Sequence, residues 1–203
     1  MTVGPTDVHA VLLWPGAGSS SDHPSLLAIE AALAPLLVFR FDFPYRREGR
    51  KAPDRANKLI ASLRVDVAQV CDQLGTTPDH LVLGGRSMGG RMCSMAVAGA
   101  TGNTAKGSEP REGPLPAAGL ILISYPLHPP GRPERLRTEH LPDVTVPTLF
   151  ISGDRDPFGT PAELEPAVEL VAGPVTTSTI EGRGHDLKAS DDLIVEAIRS
   201  WLG

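Results

Sequence analysis

A serine lies at the centre of Gly85-Arg86-Ser87-Met88-Gly89, directly after the apolar run Leu81-Val82-Leu83 and before a helix-compatible stretch. A hydroxyl held in a sharp strand-to-helix turn stands exposed above a sheet edge, at a backbone strain of about 1–3 kcal/mol. Glycines two positions before and two after the serine suit such a turn, because a Cβ there would clash where strand and helix pass closely. The chemistry this pattern offers is nucleophilic attack on a carbonyl carbon, with Ser87 activated by a neighbouring base. Two competing readings of a glycine-rich turn fail on residue type. A phosphate loop needs Lys and then Ser or Thr after its last glycine, whereas Gly90 is followed by Arg91 and Met92. The dinucleotide fingerprint needs a glycine where Ser87 stands. An ordinary structural turn stays open.

A serine nucleophile needs a base, and the base needs an orienting acid. Thr148 to Ser152 is a short apolar run that gives way to Gly153-Asp154-Arg155-Asp156-Pro157, and the β-branched run Val175 to Ile180 gives way to Gly182-Arg183-Gly184-His185-Asp186. Both loops begin where a strand should stop. Asp156 and His185 are 29 positions apart, room for one crossover helix (Ala162 to Val171) and one strand. Asp156, stiffened by Pro157, is the preferred acid; Asp154 is the reserve, its plainer role being a turn residue. Only His185, of the six histidines, sits between a strand and the final helix with a glycine before it. His9, His23, His80 and His140 read as surface, capping or packing residues. His128 is different, since Ser124-Tyr125-Pro126-Leu127-His128 follows the expected strand Leu120 to Ser124. Tyr125 and His128 are therefore expected to line a substrate pocket.

The order serine, acid, histidine, each after a successive strand, resembles that of the α/β-hydrolase superfamily, whose Gly-x-x-Asp pattern also points to Asp156. The resemblance covers about Val8 to Trp201. It implies an oxyanion hole made by the amides of Met88 and Ala17, the latter in Pro15-Gly16-Ala17-Gly18, where related hydrolases carry His-Gly-x-Gly. Pro15 thus replaces a histidine that would brace the loop. Arg40-Phe-Asp-Phe-Pro-Tyr45, Ser124 to Pro130 and Leu136-Arg137 resemble a narrower branch. It comprises small dienelactone-hydrolase-like proteins, a testis-expressed protein and the hydrolase-like domain of a nonspecific-lethal complex subunit. A dienelactone hydrolase proper uses cysteine, so Ser87 argues against that activity. The resemblance implies a serine hydrolase, esterase-like, that cleaves a carboxylic ester or thioester through an acyl-enzyme and needs no cofactor or metal. The alternative is a noncatalytic binding or scaffold module on the same fold.

The elements expected to position these residues form an α/β architecture: a minimal, mostly parallel sheet of about six strands with helices on both faces and no large cap domain. Val8 to Trp14 reads as a buried strand, followed by a helix from about Ser25 to Leu37 and a strand Val38 to Phe43. Leu59, Leu63, Val67 and Val70 recur at helical spacing. Leu193, Ile194, Ala197, Ile198 and Trp201 mark a final helix starting near Ser190, with Trp201 as a core anchor and Asp191 and Asp192 suiting its dipole. Thr101 to Pro116 reads as an extended mobile surface loop. Only a short stretch separates Ser124 from Pro147, so the pocket should be shallow and open.

The chain has 203 residues, 41% of them apolar, and a chain of this size buries about 70% of its unfolded surface around one core. One domain over 1–203 is the expectation. Cys71 and Cys93 lack metal-like spacing and read as free or buried thiols. The amino terminus lacks a secretion signal and no apolar run spans a bilayer, which points to a cytoplasmic protein without membrane partners. A net charge of −5 argues against nucleic acid. Against that background Arg46, Arg47, Arg50, Lys51, Arg55 and Lys58 form a basic run. It is either a solvated face or the rim of a pocket for a small, anionic acyl substrate. Oligomeric state is not legible.

Overall fold

The computed structural model describes residues 4–100 and 113–203; the loop expected over Thr101–Pro116 lies outside the described residues as far as position 112. A six-stranded sheet is assembled in the order β2-β1-β3-β4-β5-β6. Its strands are β1 (Ala10–Trp14), β2 (Leu37–Arg40), β3 (Leu81–Arg86), β4 (Gly119–Ile123), β5 (Thr148–Gly153) and β6 (Val175–Ile180). Every neighbouring pair is parallel. In a parallel sheet the carboxyl ends of all strands open on one edge, and the loops carrying Ser87, Asp156 and His185 all leave from that edge.

Alternation along the strands sorts the core into two layers. Ala10, Leu12 and Trp14 face one side with Leu81 and Leu83, against Leu59, Leu63 and Val67 of α3 (Ala56–Leu74) and Met92 and Ala96 of α4 (Met88–Val97). Val11, Leu13, Val82 and Ile121 face the other side. That layer is closed by Leu26 and Ile29 of α1 (Pro24–Leu33) and by Ile194, Ile198 and Trp201 of α6 (Asp191–Leu202). Trp201 is 2% exposed and packs so closely under β4 that a Cβ at Gly119 would lie 2.8 Å from its ring.

Local signals explain most boundaries. α3 ends at Gly75, whose left-handed conformation (φ 61°) lets its N–H reach the Cys71 carbonyl. α6 starts after Ser190 with Asp191 and Asp192 in its first turn and Arg199 in its last. α5 (Pro161–Val168) opens on a capping box between Thr160 and Glu163.

Several expected boundaries move: β1 starts at Ala10 rather than Val8, and α5 ends at Val168 rather than Val171. α1 stops at Leu33 rather than Leu37, because the residue before Pro35 is pushed out of the helical region, and Leu37 already belongs to β2. β2 ends at Arg40 rather than Phe43, which precedes the single-turn helix α2 (Pro44–Arg47). Cys93 is buried and Cys71 half-buried, both free. No helix among the described residues is long and apolar enough to cross a membrane.

Candidate active site

Ser87 sits between β3 and α4 with φ 47° and ψ −113°, outside the usual territory of a residue with a Cβ and therefore strained. The surroundings fix it there. A Cβ on Gly85 would fall 2.0 Å from the carbonyl oxygen of Trp14, and one on Gly89 2.2 Å from the same atom. The close approach is to the end of β1 as much as to the strand-helix crossing expected from sequence. It brings Gly16 of the next loop against the serine, with its Cβ position 3.6 Å from Cβ of Ser87.

Three side chains distant in sequence meet at the open edge. Oγ of Ser87 is 2.8 Å from Nε2 of His185, and Nδ1 of His185 is 2.8 Å and 3.0 Å from the two carboxylate oxygens of Asp156. Asp156 is 1% exposed, and its Oδ1 also accepts from the backbone N–H of Phe158 at 2.8 Å. The carboxylate there accepts a hydrogen bond from Nδ1–H, which leaves the Nε2 lone pair toward the serine hydroxyl. Asp154, the reserve acid, is turned elsewhere and accepts from the Arg183 amide at 3.2 Å. It joins the two loops without touching the imidazole.

Residues not singled out from sequence hold this group in place. Phe158 stacks on the His185 ring with centroids 4.0 Å apart. Arg86 is 6% exposed, and its guanidinium donates to the carbonyls of Asp186 (2.8 Å) and His185 (3.4 Å) and to Ser25 Oγ (3.2 Å). Burial pulls its pKa down, opposed by Asp191, Asp186 and Asp156. The available signal was a charged residue in a strand otherwise built of Leu, Val and Gly. The loop after β1 is clamped from β2 and the segment after it. Tyr45 Oη donates to the Ala17 carbonyl at 2.8 Å, Asp42 accepts from the N–H and hydroxyl of Ser21 at 2.8 and 3.0 Å, and Arg40 donates to the Ser21 carbonyl.

A cleft of about 540 Å³ opens over Ser87, walled in part by Ala17, Met88, Pro126, Arg137 and His185. Ala17 and Met88 both line the cleft with Ser87, and Met88 opens α4, where first-turn N–H groups lack intrahelical acceptors. Tyr125 and His128 do not line this cleft. The chain turns at Ser124 (φ 51°), and Tyr125 descends into the core, packing edge-on to Phe150 and donating to the Arg137 carbonyl at 2.6 Å; burial pushes its phenol pKa up. His128 lines a separate cavity of about 220 Å³, with Nδ1 2.9 Å from the Pro129 carbonyl and Nε2 3.4 Å from Glu163. Pro126 and Arg137 occupy the wall instead. His23 both caps α1 and lines the cleft, and burial, helped by Arg86, lowers its pKa.

The basic run is also placed differently from a pocket rim. Arg50 pairs with Asp54 (2.9 Å) and Glu48 (2.6 Å), Lys58 with Asp54 (3.3 Å), and Arg47 reaches Asp66 at 3.4 Å. None of its six residues lines the cleft. Among the described residues one group has ligand atoms close enough for a metal, Asp7, His9 and His80, all within 4.8 Å. It precedes β1 and β3, at the opposite end of the strands from Ser87.

An arrangement of hydroxyl, imidazole and buried carboxylate at these distances can transfer the serine proton and generate a nucleophile. The sequence matches the family described as "Alpha/beta hydrolase domain" over residues 7–196. Its fold is shared by a dienelactone hydrolase from Anabaena variabilis, at 19% identity and a TM-score of 0.69 over 97% of this chain and 87% of that one. An alpha-beta serine hydrolase homologue from Coxiella burnetii is similar at 16% identity and TM-score 0.68, over 97% and 88% of the two chains. An esterase from Thermogutta terrifontis, solved with propionate bound, is similar at 17% identity and TM-score 0.66, over 98% and 86%.

Proposed function

Because this chain belongs to the alpha/beta hydrolase family, we propose that it is a serine hydrolase cleaving a carboxylic ester or thioester of a small acyl group, within one domain and in the cytoplasm. The observation that carries the reading is the continuous contact from Ser87 Oγ through His185 to Asp156, 2.8 Å at each step. A strained residue 87, held by close packing on both sides, supports it, because strain of this kind persists only where the surroundings over-determine it.

In the proposed reaction Nε2 of His185 takes the Ser87 proton as Oγ attacks the carbonyl carbon. Negative charge gathering on the carbonyl oxygen is met by the amides of Met88 and Ala17, a kind of donor worth about 10²- to 10³-fold each in rate. The protonated imidazole, stabilised by Asp156, then gives its proton to the departing alcohol or thiol. Water attacks the acyl-serine in turn, with His185 again as base, and free acid leaves. The short connection between β4 and β5 carries only a single 3-10 turn at Leu141–Asp143, which suits small or exposed acyl groups. The narrower kinship with dienelactone-hydrolase-like proteins rests on residues 40–45, 124–130 and 136–137.

Pro15 is the observation that favours a noncatalytic scaffold on the same fold, since it takes away a bracing side chain. Against it, Tyr45 supplies a brace to the same loop. The test is hydrolysis of a graded series of p-nitrophenyl esters by the wild type and Ser87→Ala. The hydrolase reading expects turnover with an optimum at short acyl chains and a loss of several orders of magnitude in the variant. No hydrolysis across the series would favour the scaffold.

A further inference from the structure

Three arginines, Arg86, Arg91 and Arg137, line the cleft that holds Ser87. Arg86 is occupied with the carbonyls of the histidine loop and with Ser25. Among the described residues the other two are not matched by acids. Among the described residues Arg91 has no carboxylate within ion-pair distance, and its Nε is buried without a hydrogen-bond partner. Arg137 makes one side-chain hydrogen bond, from Nη1 to the Pro126 carbonyl at 3.2 Å. Arg40 and Arg50, outside the cleft, are each paired with acids, Arg40 with Asp22 and Glu30, and Arg50 with Glu48 and Asp54.

Burial first, and then the charges of Arg91 and Arg135, depress the Arg137 pKa, with Tyr125 and Glu139 acting in the opposite sense. Arg91 also helps burial to lower His140. Like charges gathered in a partly desolvated wall are stabilised by an anion brought from outside. Arg91 lies in the first turn of α4, its N–H bonded to the Ser87 carbonyl at 3.0 Å, and side chains on a helix lean toward its amino terminus. Its guanidinium is therefore carried back toward the level of the nucleophile.

We propose that Arg91 and Arg137 form an anion subsite beside Ser87 and select esters or thioesters whose acyl chain ends in a carboxylate, such as the half-esters of short dicarboxylic acids. The assignment rests on the hydrolase reading. A planar guanidinium binds a carboxylate through two parallel N–H donors, so the free end of the acyl chain would be anchored while its other end meets Ser87. The bond that breaks is the ester or thioester bond at the opposite end, and the anchored carboxylate takes no part in proton transfer.

The test compares the mono-p-nitrophenyl ester of glutaric acid with p-nitrophenyl valerate, a neutral ester of equal acyl length. The wild type should show kcat/KM about tenfold or more higher for the anionic ester, mainly through KM, as expected for charged hydrogen bonds. That ratio should shrink as salt rises. In Arg91→Met and in Arg137→Met, each checked for an unaltered melting transition, the ratio should fall toward one; if either variant fails to fold, the corresponding Lys substitution takes its place and should lower the ratio.

Independently of turnover, calorimetry with Ser87→Ala should detect glutarate, and adding Arg137→Met should abolish that binding. An anionic-to-neutral ratio near one in the wild type overturns the subsite, as does preference for inorganic phosphate over glutarate in calorimetry. Failure to hydrolyse either ester, with glutarate still bound, would count against the hydrolase reading and leave the subsite standing.

Discussion

The phenol of Tyr45 donates to the backbone carbonyl of Ala17 across 2.8 Å, so the short helix after β2 braces the loop whose amide is assigned to the oxyanion hole. Proline at position 15 has no side chain able to hydrogen-bond, so this brace reaches the loop from outside it. Tyr45→Phe removes the hydroxyl and keeps the ring. Since losing a whole oxyanion donor costs about 10²- to 10³-fold, loosening one should lower kcat by roughly tenfold, with little change in KM. Steady-state kinetics on a short-chain ester would check it; a KM effect alone would place Tyr45 in substrate binding instead.

The two aspartates of the loop after β5 should separate cleanly. Asp156→Asn keeps the shape but favours the wrong imidazole tautomer, and kcat should fall by about 10³- to 10⁴-fold, as in serine hydrolases of other folds. Asp154→Asn disturbs only the 3.2 Å contact with the Arg183 amide, a hydrogen bond worth about 0.5–1.5 kcal/mol, and should cost less than tenfold in kcat. Equal losses in both variants would contradict the assignment.

Gly89→Ala would force a Cβ to within 2.2 Å of the Trp14 carbonyl oxygen and 2.8 Å of that of Pro15. Both neighbours are backbone and can yield only by moving β1 and the loop after it. Overpacking of this sort costs about 1–3 kcal/mol, which for a chain of this length lowers Tm by roughly 2–12 °C. Activity should fall together with stability, because the same shift opens the oxyanion loop. Thermal melts monitored by circular dichroism would measure the first effect.

Acid sensitivity should trace to His140. Its ring is 5% exposed and Nε2 lies 2.8 Å from Ser94 Oγ; burial, and then Arg91, hold its pKa down to about 3 against an ordinary 6.5. The unfolded chain binds this proton near pH 6.5 and the folded chain does not. The stabilisation is therefore fully present above pH 6.5 and is lost as pH falls toward 3, with a limiting slope of about 1.4 kcal/mol per pH unit. Urea denaturation between pH 7 and 4 should show a steeper loss of stability in the wild type than in His140→Gln.

The fold was legible because its signals are local and repeated. Apolar runs ending in Gly-rich or Asp-containing loops gave the strand ends, and helical spacing from Leu59 to Val70 gave α3. The residues of the serine–histidine–aspartate group were legible because each must follow a strand at the open edge of a parallel sheet. What sequence could not convey was which side chains turn into the cleft. Ser124 adopts a left-handed conformation that no pattern announces, so Tyr125 and His128 were expected in the wall that Pro126 and Arg137 form. The clamps from Arg40, Asp42 and Tyr45, and the hold of Arg86 on the histidine loop, span tens of positions and depend largely on backbone N–H and carbonyl groups, which carry no residue signature. The basic run was open between a solvated face and a pocket rim; its position away from the cleft, and the reach of Arg47 to Asp66, become visible only in the folded chain.

The central claim is that Ser87 is a nucleophile activated in place. The most direct measurement is intact-protein and peptide mass spectrometry after treatment with a fluorophosphonate probe, for the wild type, Ser87→Ala and His185→Ala. A single adduct on Ser87 in the wild type, absent from Ser87→Ala and strongly slowed in His185→Ala, is the expected result. A wild-type protein that stays unmodified, or one modified as fast without His185, would contradict it.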